Sequence, residues 1–185
     1  MKIFKSREVK DSQRNVENAG VDFFVPNYTP QFAADLLSCN VAKPILIREI
    51  PNVIGDGREA HIDGTIKQIL VPPNVGIKIP LGIHSLFERN EALLMSNKSG
   101  VCTKKQFIVG ADLIDFSYEG EIHAHIINVS NDTAIIEFGE KIVQGIIIKI
   151  NDEPVEIVST GTKEDFYANH TKTRRDGGFG STGTK

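Results

Sequence analysis

The sequence predicts an all-β fold, a distorted jelly-roll β-barrel or sandwich with an inserted segment and a mobile, glycine-rich C-terminal arm. Two observations carry this. Many short runs rich in Ile and Val, each bounded by Gly, Pro, Asn or Asp, recur along the 185 residues. One of them, "GEIHAHIINVS", alternates strictly, with Ile122, Ala124 and Ile126 on one face and Glu121, His123 and His125 on the other. That is the period of a half-buried strand. Short strands of this kind separated by turns pack as sandwiches or barrels.

Taken in order, "PQFAADLLS" (Pro30 to Ser38) is the strongest helix candidate, with Pro30 suited to the first turn and Phe32, Leu36 and Leu37 sharing a face. The stretch 27–70 is otherwise irregular and reads as an insertion, a short helix plus a hairpin within "KPILIREIPNVIGDGREAHIDG". "GTIKQILV" and "VGIKIPLGI" read as strands, as do "DTAIIEF" and "KIVQGIIIKI" nearer the end. "GADLIDFSYEGEI" (Gly110 to Ile122) reads as a hairpin, two strand-like pieces joined by a Ser-Tyr-Glu-Gly turn. From about Thr160 the apolar pattern is lost, so the expected organisation is one domain over 1–160 and a flexible arm over 161–185.

Composition excludes several classes of function. Hydrophobic residues at 40% and charged residues at 24% describe an ordinary soluble chain. A net charge of −3 argues against nucleic-acid binding by counterion release. The two cysteines, Cys39 and Cys102, lack the spacing of a zinc site and read as reduced thiols. His123 and His125 share a strand face, but no third zinc ligand is suggested nearby. "MKIFKSREVK" is too charged for a signal peptide and "IIIKI" too short to span a bilayer, so a soluble, cytoplasmic protein is expected, without a membrane partner.

Several stretches hold residues suited to chemistry. In "SNKSG" (Ser96 to Gly100), a strand ending in Lys98, Ser99 and Gly100 presents an ammonium, a hydroxyl and an open backbone N–H to an anion, although the same residues make a common turn. Asp115 lies between Ile114 and Phe116, where a carboxylate on a partly dry hairpin can act as general base or orient a water. Gln144 and Asp22 each stand among apolar residues, in "GEKIVQG" and "NAGVDFF", where a polar group needs partners. "GGFGSTG" near the C-terminus is either a phosphate-cradling glycine loop or a polar linker. No GxxxxGK[ST] is present, so there is no Walker-type site.

Read in order, NAGVD, SNKSG, GADLIDFSYEG, GEKIVQG and RRDGGFGSTG resemble the five motifs of the trimeric dUTPase family, some of whose longer members come from phages and viruses. The resemblance spans Ala19 to Gly183, leaving 27–70 outside the motifs, and "IPLGI" before the second motif also fits. It implies Mg-dependent hydrolysis of dUTP to dUMP and pyrophosphate, which limits uracil in DNA and supplies dUMP for dTMP synthesis. It implies a homotrimer whose sites draw on more than one subunit, placing Asp115 and Tyr118 of one chain against Ser99 and Gln144 of another.

The resemblance further implies that Asp115 activates the water and contacts the sugar 3'-hydroxyl, while Tyr118 excludes a 2'-hydroxyl. The backbone of Gly110, Ala111, Asp112 and Leu113 would read the uracil edge. Lys98, Ser99 and Gly100 would hold the phosphate chain, and Gln144 and Asp22 the water and the hydrated cation. In the arm, which would close over the site, Arg174 aligns with a phosphate-binding arginine. Phe179 would stack on uracil, beside Gly180, and Ser181 and Thr182 would hold the γ-phosphate. Magnesium would be held by substrate phosphates and water, with no direct protein ligand.

Three departures from the family pattern involve four positions. Asn97 and Lys98 stand where proline and arginine are usual, Asp112 where glycine is frequent, and Arg175 where glycine follows the arginine. Lysine cannot make arginine's bidentate contacts. Two alternatives stay open. One is the related dCTP deaminase, whose catalytic glutamate corresponds to His125 here. The other is a trimeric nucleotide-switched module that docks a protein partner through 27–70.

Overall fold

The computed structural model describes residues 1–14, 17–55, 61–151 and 153–169. The chain divides into two compact units, Met1–Asn151 and Asp152–Lys185.

Its elements run β1 (Lys2–Lys5), β2 (Val21–Phe24), α1 (Pro30–Ser38), β3 (Leu46–Ile54), β4 (His61–Val71), β5 (Gly76–Pro80), β6 (Ile83–Leu86), β7 (Glu91–Ser96), α2 (Ser99–Lys105), β8 (Phe107–Val109), β9 (Leu113–Ile114), β10 (His123–Asn128), β11 (Ala134–Glu137) and β12 (Lys141–Lys149). All the strand pairings are antiparallel, in the orders β1-β6, β5-β10-β8, β11-β4-β3 and β2-β12-β7-β9. The result is a jelly-roll-like sandwich of short sheets and not a closed barrel. In the smaller unit, α3 (Lys163–Phe166) is fixed by a capping box, the Thr162 hydroxyl and the Asp165 carboxylate each meeting the other's backbone N–H. Among the described residues no helix is long and apolar enough to cross a membrane.

Alternation builds the core. On β10 Ala124, Ile126 and Asn128 are buried while His123 and His125 are half-buried. Phe23, Phe32, Leu36, Ile69, Ile77, Ile79, Leu81, Ile83, Leu93, Phe107, Ile126 and Ile136 join one cluster, which draws deeply buried side chains from all four sheets. The most deeply buried polar residue among those described is Asn128, fully buried. Its amide donates to the carbonyls of Val71, Pro72 and Asp132, and its oxygen accepts from Ser130, so burying it leaves no orphan group.

Stretch 27–70 is woven into this core at its base. Thr29 caps α1 by accepting from Phe32 N at 3.0 Å, and Phe32 and Leu36 are buried. Asn40 then locks the helix end to β5, donating to Lys78 O at 2.7 Å and accepting from Lys78 N at 2.9 Å. β3 and β4 form a hairpin in which only Gln68–Val71 of β4 also pairs with β11. Farther out, Val53 and Ile62 face each other across the hairpin and are exposed.

Two expectations change. "GADLIDFSYEGEI" is not a hairpin of paired arms: β9 pairs with β7, and β10 pairs with β5 and β8. The preceding segment Phe107–Val109, which lies outside that stretch, is the one that pairs with β10. The strand before the Lys-Ser-Gly triplet stops at Ser96, and Ser99 and Gly100 open α2 instead of ending a strand.

Candidate active site

The third, most specific stretch is organised by two close approaches. Tyr118 N donates to Asp115 O at 3.1 Å, which closes the turn, and Tyr118 Oη donates to Glu121 O at 3.0 Å. The phenol lies over Gly120, where a Cβ would come within 2.5 Å of Oη, so the Tyr-x-Gly spacing is a packing requirement. The turn is anchored from outside by Arg7, which donates to Glu121 at 2.7 Å and to Asp35 of α1 at 2.9 Å, while Gly82 N donates to Glu121 at 2.7 Å. Asp115, Asp112 and Leu113 are exposed, and Tyr118 is 43% exposed. The partly dry setting expected for Asp115 is absent in the single chain, because no described element covers the turn.

The second, fourth and first stretches come together around β12. Gln144 lies opposite Asp22 of β2 on one side and Ser96 of β7 on the other. Its amide donates to Asn97 O at 2.8 Å. Asp22, 7% exposed, accepts from Lys98 Nζ at 2.8 Å and from Lys141 Nζ at 2.9 Å. Burial opposes ionisation of Asp22 most strongly, but the two ammonium groups together outweigh it and hold its carboxyl below the usual aspartate range. Two lysines on one carboxylate leave a net positive charge beside Ser99 and Gly100. A polar cleft of about 420 Å³, lined by Ser12, Gln13, Arg14, Asn18, Asp22 and Lys141, opens at the same carboxylate.

No described atom lies within 4 Å of a Cβ built on Gly100, so the chain's own packing does not demand glycine there. Among the described residues, no three His, Cys, Asp or Glu side chains group as a metal site. Both Asp22 oxygens are engaged by lysines.

The single chain does not bring all these residues to one place. β9 meets β7 at Leu93–Ile114, whereas Gln144 meets it at Ser96. Leu93 and Ser96 stand three strand steps apart, roughly 10 Å at a strand's rise, while Leu113 and Asp112 reach β7 nearer to Ser96, at Leu94 and Met95. Arg174, Arg175, Phe179, Gly180, Ser181 and Thr182 lie outside the described residues.

Three contributors escaped the sequence reading of the site. Lys141 reaches Asp22 across a bulge between Lys141 and Val143, which no local pattern signals. Asn97, noted only as a departure, accepts from Val109 N at 2.7 Å through its side chain. His125, considered as a zinc ligand or a deaminase counterpart, instead accepts from Ala111 N at 3.0 Å, and His123 contacts Glu121 O at 2.8 Å.

The dUTPase family model matches residues 65–183, which includes four of the five stretches and excludes the one holding Asp22. The chain is 36% identical over 121 residues to the deoxyuridine 5'-triphosphate nucleotidohydrolase of Hydrogenobaculum sp. (strain Y04AAS1), covering 64% of this chain and 73% of that one. It is 33% identical over 120 residues to the enzyme of the same name from Wolbachia pipientis subsp. Culex pipiens, covering 64% and 69%. Among solved structures, a mutant dUTPase of Staphylococcus bacteriophage 80alpha with dUpNHpp aligns over 99% of this chain and 98% of its own, with a TM-score of 0.65 at 16% identity. EIAV dUTPase aligns over 86% and 97%, with a TM-score of 0.56 at 16% identity. At those identities the structural likeness concerns the fold.

Proposed function

Because this chain belongs to the dUTPase family, we propose that it hydrolyses dUTP to dUMP and pyrophosphate at a site shared between subunits of a homotrimer in the cytoplasm. The observation that carries this reading is the cluster in which Gln144, Asp22, Lys98 and Lys141 converge beside Ser99 and Gly100. A triphosphate is strongly anionic, and these donors and ammonium groups offset its charge. Ser99 and Gly100 hold the phosphate chain, using first-turn N–H groups that have no partner within the helix. Lys141 joins them as a cation that keeps Asp22 ionised and oriented.

Asp115 accepts a proton from the attacking water, and its exposure in the single chain leaves it free to meet a neighbouring subunit's phosphate site. Gly110 to Leu113 present main-chain groups to the uracil edge, and Tyr118, fixed over Gly120, packs on the deoxyribose where a 2'-hydroxyl would collide. Lys98 and Asp112 change two positions near phosphate and base, and each remains compatible with its role: Lys98 as a point charge, Asp112 through its backbone. From the arm, Arg174 acts on phosphate, Phe179 on the base, and Ser181 and Thr182 on the γ-phosphate. Asp22 and Gln144 stand where they would hold the waters of a magnesium ion arriving with the triphosphate, which would supply neutralisation of charge on the leaving pyrophosphate. Attack on phosphorus then depends mainly on positioning.

A substrate panel of dUTP, dCTP, dTTP and UTP with magnesium tests the proposal. Pyrophosphate from dUTP alone is the expected result. Ammonia from dCTP, or no pyrophosphate from dUTP, would overturn it.

A further inference from the structure

Three consecutive backbone N–H groups at the end of β8 each have an acceptor. Gly110 N donates to His125 O on β10 at 2.9 Å. Side chains take the two flanking donors. Val109 N donates to Asn97 Oδ1 at 2.7 Å, and Ala111 N donates to His125 Nδ1 at 3.0 Å.

His125 reaches across its own partner strand only because two glycines make room. A Cβ on Gly110 would lie 2.1 Å from Nδ1, and one on Gly76 of β5 would lie 3.0 Å from Nε2. The imidazole is therefore slotted between β8 and β5, half-buried, with Nδ1 aimed at a single peptide.

Strand N–H groups beyond a sheet edge need an acceptor, and water serves for exposed ones. A side chain differs from water in that it fixes the peptide plane. The peptide held by His125 starts the segment Gly110–Leu113, whose main-chain groups meet the base in the proposed function. Errors of an ångström in such groups cost binding and discrimination steeply.

We propose that His125 is a positioning residue for base selectivity, orienting the Gly110–Ala111 peptide, with Asn97 holding the strand at Val109. This rests on the reading in which Gly110–Leu113 faces uracil. His125 touches no substrate. It acts through the backbone that does.

Two variants separate positioning from mere packing. His125→Leu fills the slot without an acceptor. His125→Asn places Oδ1 at the same bond distance from the backbone as Nδ1 and restores one. In His125→Leu, KM for dUTP rises about tenfold with kcat changed by no more than about twofold, and preference for dUTP over dTTP and dCTP narrows. In His125→Asn both values return toward wild type. Amide hydrogen exchange without substrate gives a second readout: Ala111 exchanges faster in His125→Leu, is protected in wild type and His125→Asn, and Ile126 and Ile127 are unchanged throughout.

Unaltered Ala111 exchange in His125→Leu overturns the proposal, as does a fall in kcat at unchanged KM, or identical behaviour of the two variants. If His125→Leu does not fold, loss of Ala111 protection in a folded His125→Asn overturns it and retention supports it. Should the wild type release no pyrophosphate from dUTP, the functional reading fails, and the exchange comparison still decides whether His125 positions the segment.

Discussion

Asp115 and Gln144 flank opposite ends of β7, because β9 meets that strand at Leu93–Ile114 and β12 places Gln144 at Ser96. Strand direction carries Asp115 beyond Ile114 toward the Ala92 end, away from Ser99. In the proposed function, a water activated by Asp115 and a phosphate chain held at Ser99 would therefore belong to different subunits, and the exposed Asp115 and Tyr118 of one chain would be covered by another.

Asp115→Asn removes the general base and keeps the shape. Because the side chain is exposed, melting temperature should change little, while turnover falls about 10²- to 10⁴-fold, the usual worth of general-base catalysis. Pyrophosphate release and a thermal melt on the same preparation check both halves.

Acid should weaken the first-motif cluster. Asp22 has a folded pKa depressed below its ordinary 3.8, so its contribution is present above that value and disappears as pH falls through the depressed one. Asp22→Asn leaves Lys98 and Lys141 facing a neutral amide, and should destabilise the protein by about 1–3 kcal/mol at neutral pH. Urea titrations between about pH 7 and 2 should show the wild type losing this advantage as acid is added, and the variant losing less. Glu140 runs the other way. Burial raises its pKa against the opposing pull of Lys105, so its contribution favours the fold at lower pH and fades as pH rises.

Asn128→Leu should destabilise the unit Met1–Asn151 more than any surface change. It strips partners from three carbonyls, Val71, Pro72 and Asp132, at a fully buried position. A loss of about 2–4 kcal/mol follows from unsatisfied buried groups, seen as a lowered urea midpoint at unchanged slope.

Removing 174–185 deletes every arm group assigned to phosphate and base. Turnover should drop roughly 100-fold, as when positioning groups are lost, with the melting transition of the remaining chain retained. Full activity of the truncated protein would remove the arm from the mechanism.

Much of the fold was legible from period and punctuation. Ile122, Ala124 and Ile126 alternate because one face of β10 is in the core, and Pro30 with Phe32 and Leu36 marks α1 from Pro30 to Ser38. The seven-residue α2 was not legible: Ser99, Gly100, Val101 and Thr103 are indifferent or poor helix formers, and Lys98 makes no side-chain cap. The motif residues could be read from their order along the chain. Contacts such as Lys141 to Asp22, Asn97 to Val109 and His125 to Ala111 depend on strand register and on missing Cβ atoms, which local sequence does not encode.

The most direct test of a shared dUTP-hydrolysing site is complementation between two inactive chains. Asp115→Asn and Gln144→Ala are each prepared, then unfolded and refolded together in equal amounts, and pyrophosphate release from dUTP is measured. If each site takes Asp115 from one subunit and Gln144 from another, random mixing restores about one quarter of wild-type activity. If both residues serve from the same chain, the mixture stays as inactive as its components, and the account is contradicted.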